Sequence, residues 1–186
     1  MVKLLDIESV FEKIWNDMKE NWLNIDDYKA SLIWVLWETN ELVLFENQEI
    51  KFYNRCATWY GGFWNTPWSR ATPLWLHKII WYYGDDLSKE AILKWRVDTW
   101  KRLEYYPSYP NIYPAIISRI LQLEWLEERN SNTKKRYIYI HWTPNIWYWD
   151  KNDLKKSFGC IGLKPDDMID LFNQVKWKDT FVYIMK

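Results

Sequence analysis

Glycine is scarce in this sequence, with five residues in 186, where ordinary usage of roughly 7% would give about 13. A strand-rich chain needs glycine wherever a turn takes positive φ, because a side chain is strained there. Cysteine and histidine are scarcer still, two of each. Two cysteines make no disulfide framework and two histidines make no metal site, so neither a metal nor another cofactor is expected. The net charge is zero, which leaves no broad basic field to attract nucleic acid or an anionic membrane. No apolar run approaches the ~20 residues of a membrane span. Asp6 and Glu8 interrupt the stretch that an export signal would keep apolar, so no signal peptide is visible. The length suits one domain with a full core, expected to be monomeric.

Tryptophan is the opposite case, with 16 residues. Several stand where a turn is expected, as in Asn65-Thr66-Pro67-Trp68-Ser69 and Lys176-Trp177-Lys178-Asp179. Some bacteria read UGA as glycine. The expectation is that several of these tryptophans are glycines in the translated protein, shown as Trp under another genetic code. The alternative is a truly tryptophan-rich protein whose exposed indoles stack on carbohydrate.

Residues 1–29 carry Leu4, Ile7, Val10, Phe11, Ile14, Trp15 and Met18 at three- and four-residue steps, an amphipathic helix extending from the main domain. From residue 30 the pattern changes. Ser31–Trp37, Glu41–Glu46 and Glu49–Thr58 are short β-branched and aromatic runs split by Thr39-Asn40 and Asn47-Gln48, which reads as a meander. Cys56, late in the third run, reads as a small buried residue. Strands are expected again near 71–79, 116–125, 137–141 and 180–185. Ser88–Ile92 reads as a short helical turn, and Pro107–Pro114 as a loop that could rim a site. The Lys134-Lys135-Arg136 run reads as a solvated turn. Pro165, followed by Asp166-Asp167, opens a helix to Val175 whose Met168, Leu171, Phe172 and Val175 share one face.

Chemistry concentrates in two places. His141 ends the apolar strand Tyr137-Ile138-Tyr139-Ile140, and Cys160 follows Ser157-Phe158-Gly159. A thiol attacks as thiolate, and a nearby imidazole can take its proton. Glycine before cysteine permits a tight turn whose amides could bind an oxyanion. On residue types alone, a buried cysteine and a satisfied strand-end histidine fit as well.

The segments His141-Trp142-Thr143 and Ser157-Phe158-Gly159-Cys160-Ile161-Gly162 resemble the L,D-transpeptidase catalytic domain of the YkuD type. That family carries His-Gly-Thr and then Ser/Thr-x-Gly-Cys-hydrophobic-Arg. Ala71-Thr72-Pro73-Leu74-Trp75 is similar to its Thr-Pro-x-Gly segment, and Lys94-Trp95-Arg96-Val97-Asp98-Thr99-Trp100 to a Gly-Arg-x-x-Thr-Gly stretch. Ile116–Trp125 is similar to its Thr-Arg-Ile-Leu-x-Leu-x-Gly strand. Trp142 and Gly162 depart from the pattern, standing at a glycine and at an arginine.

The resemblance implies a mainly β fold, an L,D-transpeptidase-like β-sandwich or barrel with an N-terminal helix over 1–29, a catalytic domain over 30–186 and a helix after the cysteine. It implies Cys160 as nucleophile and His141 as base, acting on peptidoglycan stem peptides at the cell envelope. Ser157, Phe158, Gly159 and Trp142 would support the loop and the oxyanion, and Arg119, Thr143 and Gly162 would lie toward the substrate. The product would be a 3→3 cross-link. An L,D-carboxypeptidase using the same pair, or a catalytically impaired peptidoglycan-binding module, are the alternatives.

Overall fold

The structure, a computed structural model, describes residues 12, 14–16, 19–20, 31–47, 49–58, 69–103, 116–142 and 157–185. Its strands are β1 (Leu32–Leu36), β2 (Glu41–Glu46), β3 (Glu49–Arg55), β4 (Trp75–Tyr83), β5 (Ala91–Lys94), β6 (Val97–Arg102), β7 (Ile116–Trp125), β8 (Tyr139–Trp142), β9 (Ile161–Leu163) and β10 (Phe181–Met185). A helix, α1, spans Pro165–Val175. The fold is mainly β, as expected. Ser88–Ile92 does not form the expected helical turn. Ala91 and Ile92 instead open β5 and pair with Arg102 and Ile117.

The strands form one ten-stranded sheet in the order β3-β2-β1-β10-β4-β7-β5-β6, with β8 on β7 and β9 on β8. The two chain-distant strands β1 and β10 pair in parallel, from Leu32↔Phe181 to Leu36↔Met185. Past β3, Ala57 bridges Gly162 of β9 with two backbone hydrogen bonds of 2.7 and 2.8 Å. That bridge closes the circuit from β3 through β1, β10, β4, β7, β8 and β9, which makes the sheet a barrel.

The period-two alternation of the strands sorts residues into two cores. Ile33, Val35, Leu42, Leu44, Val182 and Ile184 face the main core, and Leu32, Trp34, Leu36, Val43, Phe45, Phe181, Tyr183 and Met185 face a second one. Strands buried on both faces read as continuous apolar runs, which is how β1 and β10 read. The second core is covered in part by Ile14 and Trp15, from helical residues near the N-terminus. Helix α1 presents Met168, Leu171, Phe172 and Val175 to the main core, each fully buried and worth on the order of 2 kcal/mol of transfer free energy. Pro165 sits at its first turn, where the missing N–H costs nothing.

Ten non-glycine residues among those described have positive φ. Four are tryptophans: Trp75 at 79°, Trp95 at 54°, Trp100 at 62° and Trp177 at 64°. Trp95 and Arg96 (69°) form the two-residue tip of the β5–β6 hairpin, where Lys94 pairs with Val97. Such a tip takes positive φ at both central residues and favours glycine. Trp95, Trp100 and Trp177 are 76%, 84% and 73% exposed, so little packing repays the strain.

Candidate active site

Strands β8 and β9 run parallel with Ile140 opposite Ile161, His141 opposite Gly162 and Trp142 opposite Leu163. Ile140, Trp142, Ile161 and Leu163 point into the main core. Tyr139, His141 and Gly162 therefore face the other way. Cys160, one residue before β9, packs on that same side against Leu93, Ile120 and Tyr139. Gly162 is level with His141, so no side chain stands between the imidazole and the sulfur two residues back. In an ideal ladder that diagonal is roughly 8 Å between Cα atoms, a gap that an imidazole and a thiol can bridge.

In the resting arrangement the sulfur is turned elsewhere. Cys160 Sγ lies 3.5 Å from the Tyr137 carbonyl oxygen, to which the thiol donates. Burial pushes the thiol up to about 11, while the Tyr139 backbone and the Arg136 charge pull it down. The imidazole of His141 is pushed down to about 4 by burial, against the effect of the Trp142 backbone beside it. Its Nδ1 is buried with no hydrogen-bond partner among the described residues. Near neutral pH both groups are uncharged.

The loop before the cysteine is held from three sides. Ser157 N donates to Thr58 O at 3.3 Å, and Ser157 Oγ accepts from Gly159 N at 3.1 Å. Gly159 has φ of 106°, and a β-carbon there would meet Ala71 O at 2.8 Å and both Arg70 O and Arg136 Nη2 at 3.1 Å. Only glycine fits. Arg136 Nη2 donates to Ala71 O at 2.5 Å, and the Arg70 guanidinium lies 4.8 Å over the Phe158 ring. The segment before β4 thus forms a floor under the cysteine loop.

Several sequence expectations need amending here. The Gly159 amide, expected to help hold an oxyanion, is bonded to Ser157 Oγ in this state. Trp142 is wholly buried in the main core, so its indole points away from the cysteine side and only its backbone adjoins His141. Arg119, expected toward the substrate, is buried. Its Nη1 donates to Leu87 O at 2.9 Å, its Nη2 to Asp85 O at 3.1 Å, and its guanidinium lies over Phe172 of α1. Those contacts hold the 85–87 turn and tie the guanidinium to α1. Gly162 lies at the site, contributing space. Thr143 lies outside the described residues, as does the Pro107–Pro114 stretch. Arg136 is half-buried under the cysteine loop, whereas the basic run containing it reads as a solvated turn.

The sequence matches the family model of the L,D-transpeptidase catalytic domain, YkuD, over residues 30–184. The chain belongs to this L,D-transpeptidase family. Among curated proteins, none matches this sequence. Solved structures of similar fold include the cell shape determining protein Pgp2 from Campylobacter jejuni, with 15% identity and a TM-score of 0.53 over 86% of this chain. An L,D-transpeptidase from Mycobacterium smegmatis has 12% identity and a TM-score of 0.53 over 84% of this chain. The Enterococcus faecium L,D-transpeptidase C442S mutant has 15% identity and a TM-score of 0.50 over 85%. The matched regions span 49%, 59% and 50% of those chains. At such identities they bear on fold alone, and this chain spans about half of the length of the structures it matches. Among the described residues, no helix is long and apolar enough to cross a membrane.

Two positions in this member of the L,D-transpeptidase family have roles that are tertiary. Tyr137 links the sulfur, through its carbonyl, to a cluster of Tyr83, Arg96 and Tyr139. Ala71 supplies the carbonyl that both excludes a side chain at Gly159 and receives Arg136. A tyrosine between the basic run and the strand, and an alanine before Thr-Pro, carry no local signal of either role.

Proposed function

We propose that this chain is the catalytic unit of a peptidoglycan L,D-transpeptidase at the cell envelope, with Cys160 as nucleophile and His141 as base. The observation that carries the reading is the β8–β9 register, which sets His141 and Cys160 on one face with side-chain-free Gly162 between them. Cys160 Sγ forms a bond to the carbonyl carbon that joins a diamino acid to terminal D-alanine, and its proton passes to His141. The C–N bond then breaks, and His141 returns that proton to the leaving amine. The side-chain amine of a second stem attacks the thioester, the C–S bond breaks, and the amine's proton returns to sulfur through His141. The product is a 3→3 cross-link. With water in place of the amine the same steps give an L,D-carboxypeptidase.

The neutral resting pair means that proton transfer accompanies attack and no ion pair stands ready beforehand. Closure requires the thiol to leave the Tyr137 carbonyl for the imidazole. The boundary near residue 30 separates this unit from the preceding helical segment.

A catalytically impaired peptidoglycan-binding module is the second reading, favoured by the raised thiol and by Gly162 in the arginine position. Incubation with disaccharide tetrapeptide stems and mass analysis separates the two. A transpeptidase accumulates cross-linked dimer and free D-alanine, both lost in Cys160→Ala. A binding module retains the stem with no D-alanine released.

A further inference from the structure

Arg96 stands at the tip of the β5–β6 hairpin, and its guanidinium lies 5.7 Å from the Tyr83 ring centroid and 5.4 Å from that of Tyr137. Nη1 donates to Gln122 Oε1 at 3.2 Å, and the same oxygen accepts from Tyr83 OH at 3.2 Å. Planar cations held by aromatic faces keep their edge available for an oxyanion. No carboxylate among the described residues bonds to Arg96, whereas Arg102 and Arg129 each have one. The cluster also adjoins the sulfur. Tyr137 carries Arg96 on its ring and Cys160 Sγ at its carbonyl. Tyr139 lies within electrostatic reach of Arg96 and packs beside Cys160. Tyr83 and Cys160 pack against one small apolar group of Leu93, Ile120 and Tyr139.

The geometry points to Arg96 as a carboxylate-binding residue beside Cys160, oriented by Tyr83, Tyr137 and Gln122. The site takes a free carboxylate carried on, or next to, the residue whose carbonyl meets the sulfur. This rests on Cys160 being the reacting group. It also gives Gly162 a physical context, because the cation absent from β9 is supplied from the tip of the β5–β6 hairpin. A guanidinium forms two parallel bonds to a carboxylate, a geometry that lysine does not reproduce.

The test compares alkylation of Cys160 in the full chain by iodoacetate, which carries a carboxylate, and by neutral iodoacetamide, with the site assigned by peptide mass. The ratio of the two rates cancels the ionisation of the thiol. Arg96→Gln is expected to lower the iodoacetate-to-iodoacetamide ratio about tenfold, and Arg96→Lys to restore part of it, with melting curves confirming that both variants fold. An unchanged ratio in Arg96→Gln overturns the proposal. Stems amidated at the terminal D-alanine or at the diamino acid then identify the carboxylate, since Arg96→Gln removes the penalty of only the relevant amidation. A shifted ratio without any stem turnover would keep the subsite and reject the transpeptidase reaction. Turnover with an unshifted ratio would reject the subsite alone.

Discussion

The carbonyl oxygen of Ala71 lies 2.8 Å from the position that a β-carbon would take on Gly159. The loop before Cys160 therefore rests on the segment before β4 with no room for a side chain, and its φ of 106° is one that only glycine adopts freely.

Gly159→Ala is thus expected to cost about 2–4 kcal/mol of stability, from strain and displacement of the loop. The same change should slow acylation of Cys160 more than tenfold. Denaturant melts and adduct formation measure the two effects.

Acid stability depends on two buried histidines. His77 is wholly buried, with Nδ1 donating to Trp75 O at 2.9 Å and Nε2 facing Asn130 Nδ2 at 3.3 Å and Thr133 Oγ1 at 3.1 Å. Burial pushes both His77 and His141 down to about 4. Between pH 6.5 and 4 the unfolded chain binds protons that the folded chain does not, so stability falls as pH falls through that window. Each histidine contributes about 3 kcal/mol to that loss. His77→Gln should flatten the stability–pH slope between pH 6 and 4.5, as read from urea midpoints.

Much of the architecture is legible from local pattern. The apolar runs of β1, β2 and β10 and the Pro165 start of α1 are dictated by neighbours in sequence, and the structure places those elements where the pattern does. Partner choice is not local. The parallel union of β1 with β10 joins residues 149 positions apart, and the Ala57–Gly162 bridge depends on closure of the whole barrel. His141 and Cys160 are recognisable from their segments, but Arg119 shows the limit. Its strand is recognisable, yet a register irregularity between Ile117 and Ile120, with Ser118 at φ of 56°, accompanies a guanidinium directed to the 85–87 turn and α1.

The left-handed tryptophans make a separate prediction. Trp75, Trp95, Trp100 and Trp177 each hold a conformation that costs a side-chain-bearing residue about 1–2 kcal/mol. Reading them as glycine predicts UGA at these codons and, in protein from the native host, an intact mass lower by one Trp-to-Gly difference per site. In protein carrying tryptophan, Trp177→Gly should raise stability by about 1 kcal/mol, because the exposed indole gives up little packing. UGG codons at these positions would contradict the recoding, and a destabilised Trp177→Gly would contradict the strain.

The free thiol should behave as an unactivated one. With Cys160 raised to about 11, iodoacetamide alkylation should climb through pH 9 and show no plateau below about pH 10. A plateau near pH 6 would reveal a standing thiolate–imidazolium pair, contrary to the neutral pair described for the resting site.

The most direct test of Cys160 and His141 as a working pair is the intact mass of the chain after exposure to a carbapenem. The prediction is a single covalent adduct mapping to Cys160, absent in Cys160→Ala and formed at least a hundredfold more slowly in His141→Gln. An adduct on Cys56, no adduct at all, or equal rates with and without His141 would contradict it.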